Sequence, residues 1–319
     1  MKLATYKDGT RDGQLVVVSR DLSTAHYATG IATRMQQALD DWGFIAPQLQ
    51  DLYETLNNGK ARHAFPFDPA LCMAPLPRAY QRLTGAAYAN HATLLGDAEG
   101  GLVVHQASSD HLLGAHDHVV CANENLGVDF SAEMVVITDD VPAGASADAA
   151  LEEVRLVMLS NATTLRQVAA DVQNQPAVAF SPVAVTLDEL GDAWDNGTVH
   201  LTVQVAWNGR KVGMCDAGTD MTYTFGQLLS HACKTRALRA GTLVSSGTIS
   251  NAGFEKNGQT EWPKGYSCIA EKRAMETARD GQASTEYMRF ADTVRIEAKG
   301  KDGQSVFGAI EQELAPLSA

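Results

Sequence analysis

The stretch GVDFSAEMVVI, residues 127–137, sets Asp129, Ser131 and Glu133 at every second position, with Val128, Phe130, Ala132, Met134 and Val136 between them. Period two is the pattern of a strand, and it puts the three polar side chains on one face. Carboxylates side by side on such a face would hold a hard divalent cation, which needs several anionic oxygens converging on it. Here a serine stands in the middle of the row, so it reads either as a metal site short of one ligand or as the solvated face of a strand. HLLGAHDHVV brings His111, His116, Asp117 and His118 close in sequence. Their rings would diverge around a turn, and the expectation is a solvated hairpin tip. SSGTIS, residues 245–250, is a turn whose backbone N–H groups could meet an anion. His91, alone among small residues in AAYANHATLLG, reads on spacing as a structural histidine. No G-x-G-x-x-G opens a helix, and there is neither a P-loop nor a G-x-S-x-G elbow.

The elements that must position these residues are mostly strands. VHLTVQVAWNGRKVG is a hairpin about Asn208-Gly209. TVRIEAKGKDGQSVFGAIEQEL is a second. TFGQLLSHACKTR interrupts them with a helix that buries Phe225, Leu228, Leu229 and Ala232. Near the amino terminus Ile31, Met35, Leu39 and Trp42 fall at helical spacing, and Ile45, Leu49, Leu52 and Leu56 mark a further helix that stops at NNG. Pro66, Pro69, Pro75 and Pro77 then forbid regular structure, which sets a boundary between a small domain at 1–75 and a larger one at 76–319. The expected fold class is mixed, mainly β with some helices.

Composition narrows the partners. The chain has 319 residues, 45% hydrophobic and 20% charged, with a formal net charge of −13. Such an excess of negative charge argues against nucleic acid or an anionic membrane. Cys72, Cys121, Cys215, Cys233 and Cys268 are odd in number, widely spaced and without a C-x-x-C pair, which reads as free thiols. No apolar run has transmembrane length and no leader segment is evident, so the expected compartment is the cytoplasm.

Several segments together resemble the fumarylacetoacetate hydrolase family in its bacterial two-domain form: PLPRAYQRLTGAAYANH, LGVDFSAEMVVITDDVPAGAS, RLVMLSNATTLR, AFSPVAVTLDELGDAW, DAGTDMTYTFGQLLSHACKTR, AGTLVSSGTISN, GYSCIAEKRAMETARDG and FGAIEQEL. The resemblance implies a small β-rich amino-terminal domain and a carboxy-terminal β-roll that dimerises. It also implies cleavage of carbon–carbon bonds in 1,3-diketones or acylpyruvates with Mg²⁺, Mn²⁺ or Ca²⁺. His91 matches the family histidine that activates water together with a glutamate, here Glu271, and Arg166 matches an arginine that steadies the developing oxyanion. Tyr88, Ser131, Gln175 and Thr248 fall at substrate-contacting positions.

The departures from the family pattern concern the metal. Ser131 stands where the resemblance implies the first glutamate of a Glu-x-Glu pair, and Glu133 matches the second. Thr84, seven residues before His91, and Ala162, in the segment Asn161–Arg166, stand where metal-binding aspartates are implied. Gln175 replaces a lysine. One anionic ligand does not hold a divalent cation, so the expectation is a degenerate site at Thr84, Ser131, Glu133 and Ala162, and no metal cofactor. One reading is a metal-independent enzyme acting on a keto acid or 1,3-diketone through His91, Glu271 and Arg166, as a homodimer. The other is an inactive family member serving as a binding protein or dimer partner. Whether His91, Arg166 and Glu271 converge on a pocket, or side chains fill the emptied site, separates the two.

Overall fold

The computed structural model describes residues 1–96, 101–169 and 172–317. The strands that matter for the site are β1 (Lys2–Tyr6), β2 (Gln14–Val18), β3 (Gln81–Gly85), β4 (Ala132–Thr138), β5 (Val154–Leu165), β6 (Ala184–Thr186), β7 (Thr202–Trp207), β8 (Arg210–Asp216), β9 (Thr242–Ser245), β10 (Thr293–Lys299) and β11 (Ile310–Pro316). The helices are α1 (Met35–Asp40), α2 (Trp42–Asn57), α3 (Ala89–Leu95), α4 (Phe225–Ala232) and α5 (Ile269–Asp280). Strand exceeds helix, as the sequence pattern requires.

One large sheet runs in the order β2-β1-β6-β5-β4-β9-β3. A second of five strands contains β8-β7-β10-β11. Because both faces of the large sheet are covered, β4 and β5 are buried almost throughout. On one face, Val135, Ile137, Leu156, Met158 and Leu243 pack with Met35, Leu39, Leu49 and Tyr53 of the amino-terminal helices. The opposite face and the second sheet share the larger core, which includes Val136, Val157, Val203, Phe225 and Ile296. Strand β1 hydrogen-bonds β6, so the amino-terminal segment extends the large sheet.

The hairpin about Asn208-Gly209 forms between β7 and β8, with Trp207 opposite Arg210. Both turn residues have positive φ, 49° and 72°, which suits the right-handed twist of the flanking strands. Helix α4 starts at a reciprocal cap in which Thr224 and Gln227 satisfy each other's backbone N–H. Two expectations need correction. Residues 31–42 do not form one helix, because the chain turns at Asp41 and Trp42 begins α2. HLLGAHDHVV is a turn but no hairpin. Leu112–Leu113 pairs with Ala177–Phe180, Val119–Cys121 pairs with β11, and the Asp117 carboxylate accepts from Gly114 N at 2.7 Å and bends the chain between them. All five cysteines are buried and free, and no described helix is long and apolar enough to cross a membrane.

Gly247 follows β9 at φ +74°, and a Cβ there would lie 2.1 Å from the Gly85 carbonyl oxygen. Both atoms in that contact belong to backbone, so neither can move aside cheaply. Gly247→Ala should destabilise the protein by about 3 kcal/mol or more, combining positive-φ strain with overpacking. Urea denaturation checks this, and a change below about 1 kcal/mol would contradict the close approach of the β9 turn to β3.

Candidate active site

Helix α5 supplies one half of the site. Its cap is Cys268, whose Sγ accepts from Glu271 N at 3.4 Å. Beneath the cap lies Asp129, fully buried. Its carboxylate accepts from Ile269 N at 2.6 Å and Ala270 N at 3.1 Å, and Arg166 Nε reaches it at 3.0 Å. A carboxylate at a helix amino terminus meets both free N–H groups and the positive end of the helix dipole. Burial pushes the Asp129 carboxyl above the usual range, and Arg166 with the two amides opposes that.

Glu271, in the first turn of α5, is 1% exposed. Its Oε1 lies 3.0 Å from His91 Nδ1, and its Oε2 accepts from Ser267 N at 3.4 Å. His91 sits in α3, which packs on α5, and its side chain is 21% exposed. A carboxylate on Nδ1 favours the tautomer with the proton there and leaves the Nε2 lone pair for a reacting group. A unit of this kind can accept a proton, with the imidazole oriented from behind by Glu271.

The row Asp129, Ser131 and Glu133 is not a solvated face. These residues are 0%, 2% and 5% exposed. Nor is GVDFSAEMVVI one strand: Val128–Asp129 pairs with the end of β5, β4 starts at Ala132, and between them Ser131 N donates to Asn161 Oδ1 at 3.0 Å. Glu133 is knitted to hydroxyls. Ser131 Oγ donates to its Oε1 at 3.2 Å and Ser245 Oγ to its Oε2, while Ser131 and Thr248 share a further hydrogen bond at 2.8 Å. Thr84 stands beside Ser245 across the parallel β3–β9 pair. Ala162 is buried in the apolar cluster with Val135 and Val178.

A hard cation does not fit this donor set. Among these positions only Glu133 carries charge, and both its oxygens already accept internal hydrogen bonds. One trio of metal-ligating types among the described residues, His91, Cys268 and Glu271, has donor atoms within 4.8 Å of one another. Burial, then the fields of Asp129 and Glu271, push the Cys268 thiol well above its usual range.

The structure brings His91 to Glu271, and Ser131 to Glu133 and Thr248. It does not bring Arg166 to them as a free cation, since Asp129 holds its Nε. Tyr88 is 2% exposed and its hydroxyl donates to Ala217 O at 2.6 Å. Gln175 is half-buried and accepts from Arg82 Nη1 at 3.4 Å. Sequence reasoning missed Arg82, Ser245 and Cys268. For Arg82 the available signal was a charge inside the strand QRLTG. Sizeable cavities lie elsewhere: one of about 480 Å³ is walled in part by Lys2, Arg20, Glu189 and His200, and one of about 470 Å³ by His116, His118, Arg295 and Glu311. Convergence of chemically matched side chains, not cavity size, locates the site.

The model of the fumarylacetoacetase N-terminal domain 2 matches residues 1–78, and that of the fumarylacetoacetate (FAA) hydrolase C-terminal region matches residues 82–315. Among solved structures the chain is similar to maleylpyruvate hydrolase from Sphingobium sp. SYK-6, at 14% identity over 99% of this chain and 100% of that one, with a TM-score of 0.67. The same hydrolase in complex with manganese(II) ion and pyruvate gives 15% identity, full coverage of both chains and a TM-score of 0.66. The 2-hydroxyhepta-2,4-diene-1,7-dioate isomerase from Mycobacterium marinum is 15% identical over the whole of both chains, with a TM-score of 0.59. At these identities the likeness shows a shared fold. A comparison with curated protein sequences finds no match.

Asp129→Ala should cost about 3–5 kcal/mol in urea denaturation, because it removes a fully buried carboxylate, leaves the partly buried Arg166 without its partner and uncaps α5. Asp129→Leu combined with Arg166→Met should cost less than Asp129→Ala alone, since no unpaired charge remains. Additive losses would contradict a coupled pair.

Proposed function

Since the chain belongs to the fumarylacetoacetate hydrolase family, we propose that it is a metal-independent enzyme that moves a proton on a keto acid or 1,3-diketone, with His91 as base and Glu271 as the group that orients it. The observation that carries this reading is the 3.0 Å contact between His91 Nδ1 and the buried Glu271 carboxylate. A histidine backed in this way and partly exposed suits removal of a proton from the carbon next to a carbonyl, or activation of water. Ser131 and Thr248 offer hydroxyls on the substrate side, and Arg166 supports the site through Asp129.

Magnitudes choose between the reactions. A Lewis acid that polarises a carbonyl contributes several kcal/mol to a carbon–carbon cleavage, and losing about 4 kcal/mol slows a reaction roughly a thousandfold. Keto–enol isomerisation asks less of the site than cleavage, because one base takes and returns the proton. Isomerisation is therefore the favoured reaction, with hydration, condensation and hydrolysis behind it. The alternative is an inactive family member that binds a ligand or an active partner, and the internal bonding of Glu133 favours it. The proposed assembly is a homodimer in the cytoplasm, resting on the family resemblance.

The test is keto–enol exchange of a 2-keto acid in D₂O, followed by uptake of solvent deuterium at the carbon next to the carbonyl. Exchange should survive EDTA, and His91→Ala should lower it by about 100- to 10,000-fold. Elemental analysis of the purified protein should find well under one Mg, Mn, Ca or Zn per chain. A reaction abolished by EDTA and indifferent to His91 would overturn the reading, and absence of any exchange would favour the inactive alternative.

A further inference from the structure

Arg82 lies two residues before Thr84 on β3, hence on the same strand face. Across the parallel pair Leu243 stands beside Arg82 and Ser245 beside Thr84, and Ser245 donates to Glu133. The guanidinium therefore shares a sheet face with Glu133. Burial disfavours its charge, and Glu133 is the charged group whose field opposes that. Arg82 is only 3% exposed. An arginine so deeply buried is almost always paired, yet among the described residues no carboxylate oxygen lies within ion-pair distance of it. Among the described residues its one hydrogen bond is the long contact to Gln175.

A guanidinium has five N–H donors, and here nearly all are unused. Among the described residues the buried side-chain atoms sealed away without a partner are Gln36 Oε1, Tyr53 Oη, Thr138 Oγ1, Ser160 Oγ and Ser305 Oγ. No Arg82 nitrogen is among them, so the tip of this buried side chain reaches accessible space. A planar fork with free donors, removed from bulk water, matches the two oxygens of a carboxylate. A purely structural role has nothing to recommend it, because a buried charge without a partner destabilises the fold.

We propose that Arg82 holds the carboxylate of a 2-keto acid beside Glu133, a fixed cation in the region where the family resemblance implies a divalent ion. This rests on the keto-acid reading above and names the group that recognises the acid. A guanidinium gains nothing from chelation by a neighbouring carbonyl, so carboxylates lacking the 2-keto group should bind within a few-fold of those that have it.

The experiment is calorimetric titration with pyruvate, and with acetate for comparison, in EDTA, alongside thermal melts. Pyruvate should bind wild type and His91→Ala alike, since binding does not need the base. Arg82→Met should weaken pyruvate binding at least tenfold while its ligand-free melting temperature stays level or rises. Unchanged affinity in Arg82→Met would overturn the role of Arg82 and leave the proton-transfer reading standing, because that reading is tested by exchange at His91. A wild type that binds no pyruvate would overturn the Arg82 site outright. Should Arg82→Met fail to fold, Arg82→Lys decides: weaker binding at an unchanged melting temperature supports the site, and unchanged affinity overturns it.

Discussion

The carboxylate of Asp129 is the constraint on which the site is built. It is fully buried, and it joins the amino terminus of α5 to Arg166 at the end of β5. Remove it and three groups lose their partner at once: two helix amides and a guanidinium. With it in place, α5 has a fixed axial position and rotation, and Glu271 two residues into the helix is aimed at α3. The distance that matters for chemistry, His91 to Glu271, is therefore set by an interaction on the far side of the helix cap. Arg166 contributes as the counter-charge that opposes the effect of burial on the anchor, which is a mechanical role within the site.

Around this anchor the polar interior has been reorganised as a network of neutral donors. Where a cluster of carboxylates would repel itself without a cation, Ser131, Thr248 and Ser245 donate to one another and to Glu133. Every hydroxyl in that network has a partner, so the interior is satisfied as it stands. Ala162 has meanwhile joined the apolar cluster beneath the sheet. These changes support one another, since a carboxylate returned at any one position would face either hydrophobic side chains or another anion.

Much of this was legible in the sequence because it follows local rules. The Asn208-Gly209 hairpin and the capped helix of residues 225–232 are fixed by nearby residues, and both form where the pattern places them. His91 and Glu271 were found through resemblance, since neither has a local signature. What escaped were features set by strands meeting from distant parts of the chain. Alternation located Asp129, Ser131 and Glu133 but not what covers them, so a face that spacing could leave in solvent is buried. Arg82 in QRLTG reads as an ordinary strand residue until β9 and β4 bring Ser245 and Glu133 onto the same sheet face. The turn at His116–His118 looked like a hairpin because spacing says nothing about which sheets the two flanking strands join.

The two halves of the proposed proton-transfer pair are 180 residues apart in the chain, and β3, which leads into α3, lies in the large sheet beside β9 and β4. Pairings at such separation carry a loop-closure cost before they return any stabilising contact, and they slow folding. A nascent chain that has emerged only as far as β9 can build most of the large sheet, yet it holds His91 without the carboxylate that orients it. On the proposed mechanism competence comes late in the life of each molecule, and a polypeptide interrupted before residue 271 would lack the carboxylate that orients His91.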